Sequence, residues 1–289
     1  MDLLQRLGNY PVPAHASRIL GVEFSGHIES LGPDVKENFK PGDAVFGLAY
    51  GGAYAEYISV STHMLLHKPE HLSWEEAAGI PEVWITATQA LHFVGEFAKG
   101  KSVLWHAGAS GVSIAGIQLS RVAGASEIYV TTSTQEKIDF CVKELGATAG
   151  FNYKTQDWVQ EIKNATGGKG VDLIIDFVGQ AYFGSNLQAA ALDGHVVNLG
   201  FLSGSKLAAG ADLSPFIQKR LTVKGSSLRS RSLDYQGKLR DKLEGYLPQF
   251  EDGTFKLYVE KVFPWENVVQ AHQLMEKNET KGKLICTIS

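Results

Sequence analysis

The stretch "VLWHAGASGVSIAGIQL", residues 103–119, decides how this chain is read. Val103 to Trp105 suit a buried strand, and from Val112 apolar residues recur at helical spacing. Glycines and a serine lie between. Such a turn leaves main-chain N–H groups unpaired at a helix N-terminus, where the macrodipole favours an anion. The spacing departs from a strict Gly-x-Gly-x-x-Gly. Gly108 and Gly111 are followed by Ser113, where a packing glycine would be expected, and Gly116 comes further on. An ordinary tight strand-to-helix connection would read the same way, so the surroundings must decide.

Downstream, strand and helix patterns alternate. "SVLWHA", "EIYVTT", "AGFNY", "VDLIIDFVG" and "GHVVNLG" read as strands. Helices are expected from Val112, from Gln135 to Leu145, through Trp158 and Ile162, and up to Leu192, with "LTVKGSSL" as an edge strand. Alternation of this kind calls for a doubly wound parallel sheet, with ligands at the carboxyl ends of its strands. Upstream, "ILGVEFSGHIESLGP" and "KPGDAVFGLAYGGAYAEYISVS" are turn-punctuated short strands of a small irregular β-domain or barrel. Ser73 with Glu76 forms a capping-box pattern, Pro81 interrupts, and a second helix is expected from Glu82 to Val94. After Ser227 come a polar helix from about Leu233, a strand "KLYVEKVF", a helix "ENVVQAHQLMEKN" and a strand "GKLICTI". The expected fold is α/β: a doubly wound domain over 79–226, inserted in a β-rich domain split between 1–78 and 227–289.

The anion expected at the turn is a pyrophosphate, because the turn opens the first helix of the series. No Gly-Lys-Ser/Thr follows it, which argues against a triphosphate loop. Where a site for NAD would place a carboxylate on the ribose stands Thr131-Thr132-Ser133-Thr134, with Lys137 one helical turn in and Tyr153 after the next strand. Hydroxyls and a cation favour a 2′-phosphate, hence NADP(H). Glu136 is discordant and is expected to face solvent.

A formal charge of −4 gives no basic footprint for nucleic acid or an anionic membrane surface. No apolar run approaches the ~20 residues that span a bilayer, and the N-terminus lacks a signal-peptide core. Cys141 and Cys286 are the only cysteines and read as small buried hydrophobes of a reducing, cytoplasmic compartment. His63, His67 and His71 are spaced by four, but Pro69 breaks the helix that would align them on a metal.

Several segments, in order from end to end, resemble the medium-chain dehydrogenase/reductase superfamily. They are "LQRLGNYPVP", "ILGVEFSGHI", "KPGDAVFGL", "AAGIPEVWITATQAL", "VLWHAGASGVSIAGIQL", "LGATAGFNYK", "GVDLIIDFVG", "LDGHVVNLG", "SSLRSR" and "KGKLICTI". Within it the chain is most similar to the zinc-independent quinone oxidoreductases, the zeta-crystallin-like and tumour-suppressor-induced branch. The resemblance implies a Rossmann domain inserted in a GroES-like catalytic domain. It also implies that about forty residues, enough for several strands, are missing before Met1, together with an asparagine of the nicotinamide side. Zinc-dependent relatives carry a histidine before the glutamate of a Gly-His-Glu stretch. Here Val22 precedes Glu23, and valine has no donor atom, so no metal is expected.

By resemblance, Gly108, Ala109, Ser110, Gly111 and Val112 hold the pyrophosphate, and Thr134, Lys137 and Tyr153, beside Ser133, take the 2′-phosphate. Thr86 lies near the nicotinamide, and Val178, Phe201 and Leu228 line the cofactor. Tyr10 faces the substrate, Arg229 contacts phosphate or solvates a strand end, and Glu23 pairs with an arginine. The expected activity is NADPH-dependent reduction of a quinone. The alternatives are an enone or enoyl reductase, and a catalytically silent NADPH-binding or scaffold protein prompted by the short N-terminus. A homodimer through "LTVKGSSL" is expected.

Overall fold

The computed structural model describes every residue of the chain except 11, 14–15, 36–37, 208–209 and 289. It divides into two compact units, Met1–Ile85 with Leu228–Ser289, and Thr86–Ser227.

The split unit opens with α1 (Asp2–Arg6) and an antiparallel sheet in the order β1 (Glu23–His27), β2 (Ala44–Leu48), β3 (Leu65–His67). Of the turn-punctuated short strands expected over this stretch, β2 stops at Leu48, and Gly51 and Gly52 turn the chain with φ of 140° and 97°. A β-carbon at Gly51 would lie 2.7 Å from the Ser17 carbonyl oxygen, so the chain turns here only with glycine. α2 (Trp74–Gly79) is capped reciprocally: Glu76 N–H donates to Ser73 Oγ at 3.1 Å, and Ser73 N–H to the Glu76 carboxylate at 2.9 Å. α3 (Pro81–Thr88) begins at the proline, whose fixed φ suits the first helical position.

The helix expected to continue evenly to Val94 widens instead over Gln89–Val94, where Gly95 N–H bonds the Ala90 carbonyl five residues back. A side chain at Gly95 would strike that carbonyl at 2.5 Å and Leu173 at 3.0 Å.

The second unit is built on a parallel sheet of six strands. In chain order it comprises β4 (Val103–Trp105), α4 (Gly111–Val122), β5 (Ile128–Thr132), α5 (Gln135–Lys143), β6 (Ala149–Asn152), α6 (Trp158–Ala165), β7 (Val171–Asp176), α7 (Phe183–Ala189), β8 (Ala190–Asn198), α8 (Ser214–Lys219) and β9 (Thr222–Gly225). The spatial order β6-β5-β4-β7-β8-β9 reverses direction at β4, so the switch point lies at its carboxyl end. β4, β5 and most of β7 are buried on both faces, as a sheet covered by helices requires. This is the doubly wound arrangement that the alternating pattern implies. The helix expected to reach Leu192 ends at Ala189. Ala190 is drawn into the sheet opposite Val171, and Asp193, at φ 59°, turns the chain before pairing resumes at His195. Helix propensity in this alanine-rich run yields to sheet pairing.

The chain returns to the split unit with α9 (Leu233–Glu244), α10 (Leu247–Glu251), β10 (Val259–Pro264), α11 (Val268–Glu276) and β11 (Lys283–Thr287), the two strands lying parallel. Its core includes an aromatic cluster in which Trp84 meets Phe250 and Phe255 at 4.7 and 4.6 Å between ring centres. No described helix is long and apolar enough to cross a membrane.

Candidate functional site

The glycine turn follows β4. Ala107 takes φ 49°, Gly108 N–H returns to the Thr131 carbonyl at 2.9 Å, and Ser110 N–H bonds the Ala107 carbonyl at 2.8 Å. A β-carbon on Gly108 would sit 2.7 Å from Val130 Cβ, so glycine lets the turn press against β5. Ser110 is the N-cap of α4, its Oγ accepting from Ser113 N–H. Among the described residues the N–H groups of Ala109, Gly111 and Val112 have no acceptor, and they form the donor set an anion would meet at this helix start. The packing role not found at Ser113 belongs to Gly116: a β-carbon there would enter the Trp105 ring at 2.3 Å. Ser113 Oγ instead donates to the His106 carbonyl at 2.7 Å and braces the turn from below.

The next strand end carries the hydroxyls. Thr131 is wholly buried and bonded to His106, and Thr132 Oγ1 donates to the Thr134 carbonyl at 3.1 Å. Ser133 is buried, and Thr134 is exposed and caps α5 by accepting from Lys137 N–H at 3.2 Å. Glu136 faces solvent, whereas Lys137 is only 7% exposed. Tyr153 follows β6, half-exposed, with its N–H on the Thr132 carbonyl. Val178 and Phe201 follow β7 and β8, and Phe201 packs over Gly179. Residues 108–112, Ser133, Thr134, Tyr153, Val178 and Phe201 thus gather at the carboxyl ends of neighbouring strands. Thr86, partly buried, lies in the second turn of α3.

Below these loops is a buried polar network that motif reading does not find. Asp176, at the end of β7, accepts from Val178 N–H at 2.7 Å, Gly179 N–H at 3.1 Å, Asn186 Nδ2 at 3.0 Å and Asn198 Nδ2 at 2.9 Å. Because Asn186 donates to Asp176, its Oδ1 must accept, which assigns the proton of His106 to Nε2 (2.7 Å) and leaves Nδ1 to accept from Thr131 Oγ1 at 2.8 Å. Burial holds His106 below its ordinary range, against the pull of Asp176, so the ring is neutral and fixed. The signal was a carboxylate and an amide, Asp176 and Asn198, ending adjacent parallel strands.

Within the split unit, Tyr10, Leu228 and Arg229 line one small cavity with Glu82 and Gln236. The Arg229 guanidinium carbon stands 5.1 Å from the Tyr10 ring centre, and Nη1 and Nη2 are buried with no hydrogen-bond partner among the described residues. Arg229 therefore does not solvate a strand end. Burial raises the Tyr10 phenol above its usual value although Arg229 draws it down. Burial, then the neighbouring Glu23, pushes Glu82 up to about 7 against the pull of Lys283. Glu23 pairs not with an arginine but with Lys283, whose chain position at the start of β11 no local reading reveals; Glu23 also accepts from Glu82 N–H at 2.8 Å. Val22 is buried beside it, and no three His, Cys, Asp or Glu side chains gather as a metal site among the described residues. His63 bonds Ser61, and His67 bonds the Asn38 carbonyl.

Comparison with known proteins adds two domain matches: "Alcohol dehydrogenase GroES-like domain" over residues 1–70 and "Zinc-binding dehydrogenase" over 111–244. A curated relative, a mycocerosic acid synthase-like polyketide synthase of Mycobacterium tuberculosis, is 27% identical over 99% of the chain, which spans only 13% of that protein's length. Among solved structures, mycobacterial Rv1454c complexed with NADPH superposes with TM-score 0.87 at 26% identity, over 99% of this chain and 87% of that one. JamJ enoyl reductase gives 0.85 at 26%, covering 100% and 87%. A quinone oxidoreductase of Pseudomonas syringae gives 0.83 at 27%, covering 99% and 86%.

Proposed function

Because the chain belongs to the medium-chain dehydrogenase/reductase family, we propose that it transfers a hydride from NADPH to a quinone without a metal. The observation that carries this reading is the turn after β4, whose three open N–H groups at Ala109, Gly111 and Val112 match the need of a pyrophosphate. Ser110 shapes that cradle as N-cap, and Gly108 lets it lie close to β5. Ser133, Thr134, Lys137 and Tyr153, with no carboxylate at the end of β5, suit a 2′-phosphate, and a neighbour that binds NADPH supports the same choice. Val178, Phe201 and Leu228 would flank the cofactor, and Thr86 its nicotinamide end.

Bound NADPH would supply the hydride; the protein's part is to orient the acceptor and exclude water. Tyr10, held protonated by burial, can donate a hydrogen bond to a quinone oxygen. No Lewis acid is required, because a quinone is strongly electrophilic and its reduced form is aromatic. At the position where a zinc ligand would stand, buried Val22 offers no donor atom.

The test is NADPH oxidation, followed by absorbance, with ortho- and para-quinones in parallel with enones and enoyl thioesters. Turnover confined to quinones upholds the reading. Turnover confined to activated carbon–carbon double bonds supports the enoyl-reductase alternative, which the likeness to JamJ enoyl reductase favours. Binding of NADPH with no oxidation by any acceptor leaves a silent nucleotide-binding protein. β9 forms an open edge of the six-stranded sheet, which supports a homodimer; a mass in solution equal to one chain refutes it.

A further inference from the structure

We infer that the cavity beside Tyr10 receives the carbonyl oxygen of the acceptor, with the Arg229 guanidinium as the group that meets the negative charge developing there. The inference rests on the quinone-reductase reading and names the residue that would replace a Lewis acid in it. Nη1 and Nη2 of Arg229 are both buried and donate to no described residue. A buried charged donor without an acceptor is strongly unfavourable, so these two call for an acceptor from outside the chain, water in the resting protein and a ligand oxygen when one displaces it. Among its other polar neighbours Gln236 and Glu23 are engaged, and the Glu82 carboxyl feels the Arg229 charge without bonding to it. Gln236 Nε2 donates to the Tyr50 hydroxyl and to the Arg231 carbonyl at 3.1 Å, and Glu23 is paired with Lys283. Glu82 lines the cavity but accepts no hydrogen bond from Arg229. The guanidinium is thus held against the Tyr10 ring with its two donors unspent.

Size says what can enter. The cavity holds about 30 Å³, room for roughly two water molecules. An oxygen atom fits and an aromatic ring does not, so the ring of the acceptor would stay outside. A cation at that point meets the charge that the reaction develops, and so lowers its barrier without being indispensable to it. When the C4–H bond of NADPH breaks, its electron pair and hydrogen pass to the quinone, NADP⁺ is left, and one quinone oxygen becomes a phenolate. One proton from water then completes the hydroquinone. Arg229 remains charged throughout and gives up no proton, so it stabilises the phenolate by charge and two hydrogen bonds. The same geometry would serve the enolate oxygen of a reduced enone.

The probe is para-nitrophenol, whose colour reports its ionisation, titrated against the full chain with NADP⁺ present. Wild type is expected to bind it as the phenolate, in competition with quinone, and Arg229→Gln to lose that binding. Arg229→Gln should lower kcat with a quinone on the order of a hundredfold, with NADPH affinity held within about twofold and Arg229→Lys recovering part of the rate. Should Arg229→Gln fail to fold by circular dichroism, the wild-type titration and Arg229→Lys decide the matter. Weaker NADPH binding in the variants with unchanged acceptor kinetics would assign Arg229 to the cofactor phosphate and overturn the inference, as would wild type that binds only the neutral phenol. Phenolate binding through Arg229 in a protein that oxidises no NADPH would sink the reductase reading and leave the oxygen site standing.

Discussion

Asp176 in the sheet unit is wholly buried, Arg229 in the split unit has both terminal nitrogens buried, and their surroundings differ completely. Asp176 accepts from two main-chain N–H groups and two amide side chains, so its needs are met by the fold. Arg229 has an aromatic ring on one side and no acceptor among the described residues. The first arrangement makes a rigid floor beneath the loops at the strand ends. The second leaves two buried donors without an acceptor among the described residues, and the proposed oxygen site rests on them. A buried ion fully paired reads as architecture, and one left unpaired beside a cavity reads as a site.

That contrast can be broken experimentally, most severely at Asp176. Asp176→Ala strands four donors and should lower unfolding stability by about 4 kcal/mol, read from urea denaturation. A loss no larger than that of an exposed aspartate would show that the floor is dispensable. Next in size, Lys283→Ala leaves Glu23 uncompensated beside Glu82 and should cost about 3 kcal/mol, while Arg229→Gln, which breaks no hydrogen bond to a described residue and removes only the Tyr10 ring contact and a longer-range pull on Glu82, should cost far less. Equal losses at the two positions would erase the distinction between paired and unpaired cations.

A pH dependence sharpens it further. Glu82 is raised from 4.5 to about 7 in the folded chain by burial and by Glu23. A carboxyl with a raised folded pKa keeps its proton while the unfolded chain releases it, so stability falls as pH rises between those two values and levels off above. Glu82→Gln should flatten this fall, which is about 2 kcal/mol once solvent screening is allowed for. Chemical denaturation at several pH values between 4.5 and 7 measures it, and a parallel slope in the variant would locate the titrating group elsewhere. The smallest effects are expected at the helix caps. Ser73→Ala and Ser110→Ala each remove an N-cap worth about 1 kcal/mol, but only Ser110→Ala should also weaken NADPH binding. If both caps affect NADPH equally, the turn after β4 is not the cradle.

How far each region could be read from the chain follows the same division. The sheet unit is local. Each strand, turn and helix is contiguous, so its period and its glycines announce the switch point, and Gly108, Ser110 and Thr134 can be picked out singly. Even there tertiary pairing prevailed at residues 190–192, where helix-favouring alanines became a strand opposite Val171. The split unit is not local. Its cavity is assembled from Tyr10, Glu82 and Arg229, and its buried pair from Glu23 and Lys283, residues no window of sequence brings together. Glu23 was visible as a residue in need of a partner, while the partner's identity was not.

From sequence alone came the alternating α/β order, the glycine-and-serine turn at 108–112, the hydroxyls in place of a carboxylate after β5, and the absence of a ligating side chain at Val22. These are properties of residue type and spacing, and they survive without coordinates because helix and strand periods are short. The satisfaction of Asp176, and the lack of an acceptor for Arg229 among the described residues, were decided by tertiary structure only. Whether a buried polar group is paired depends on which distant segments fold against it, and that is a property of packing rather than of any stretch of chain.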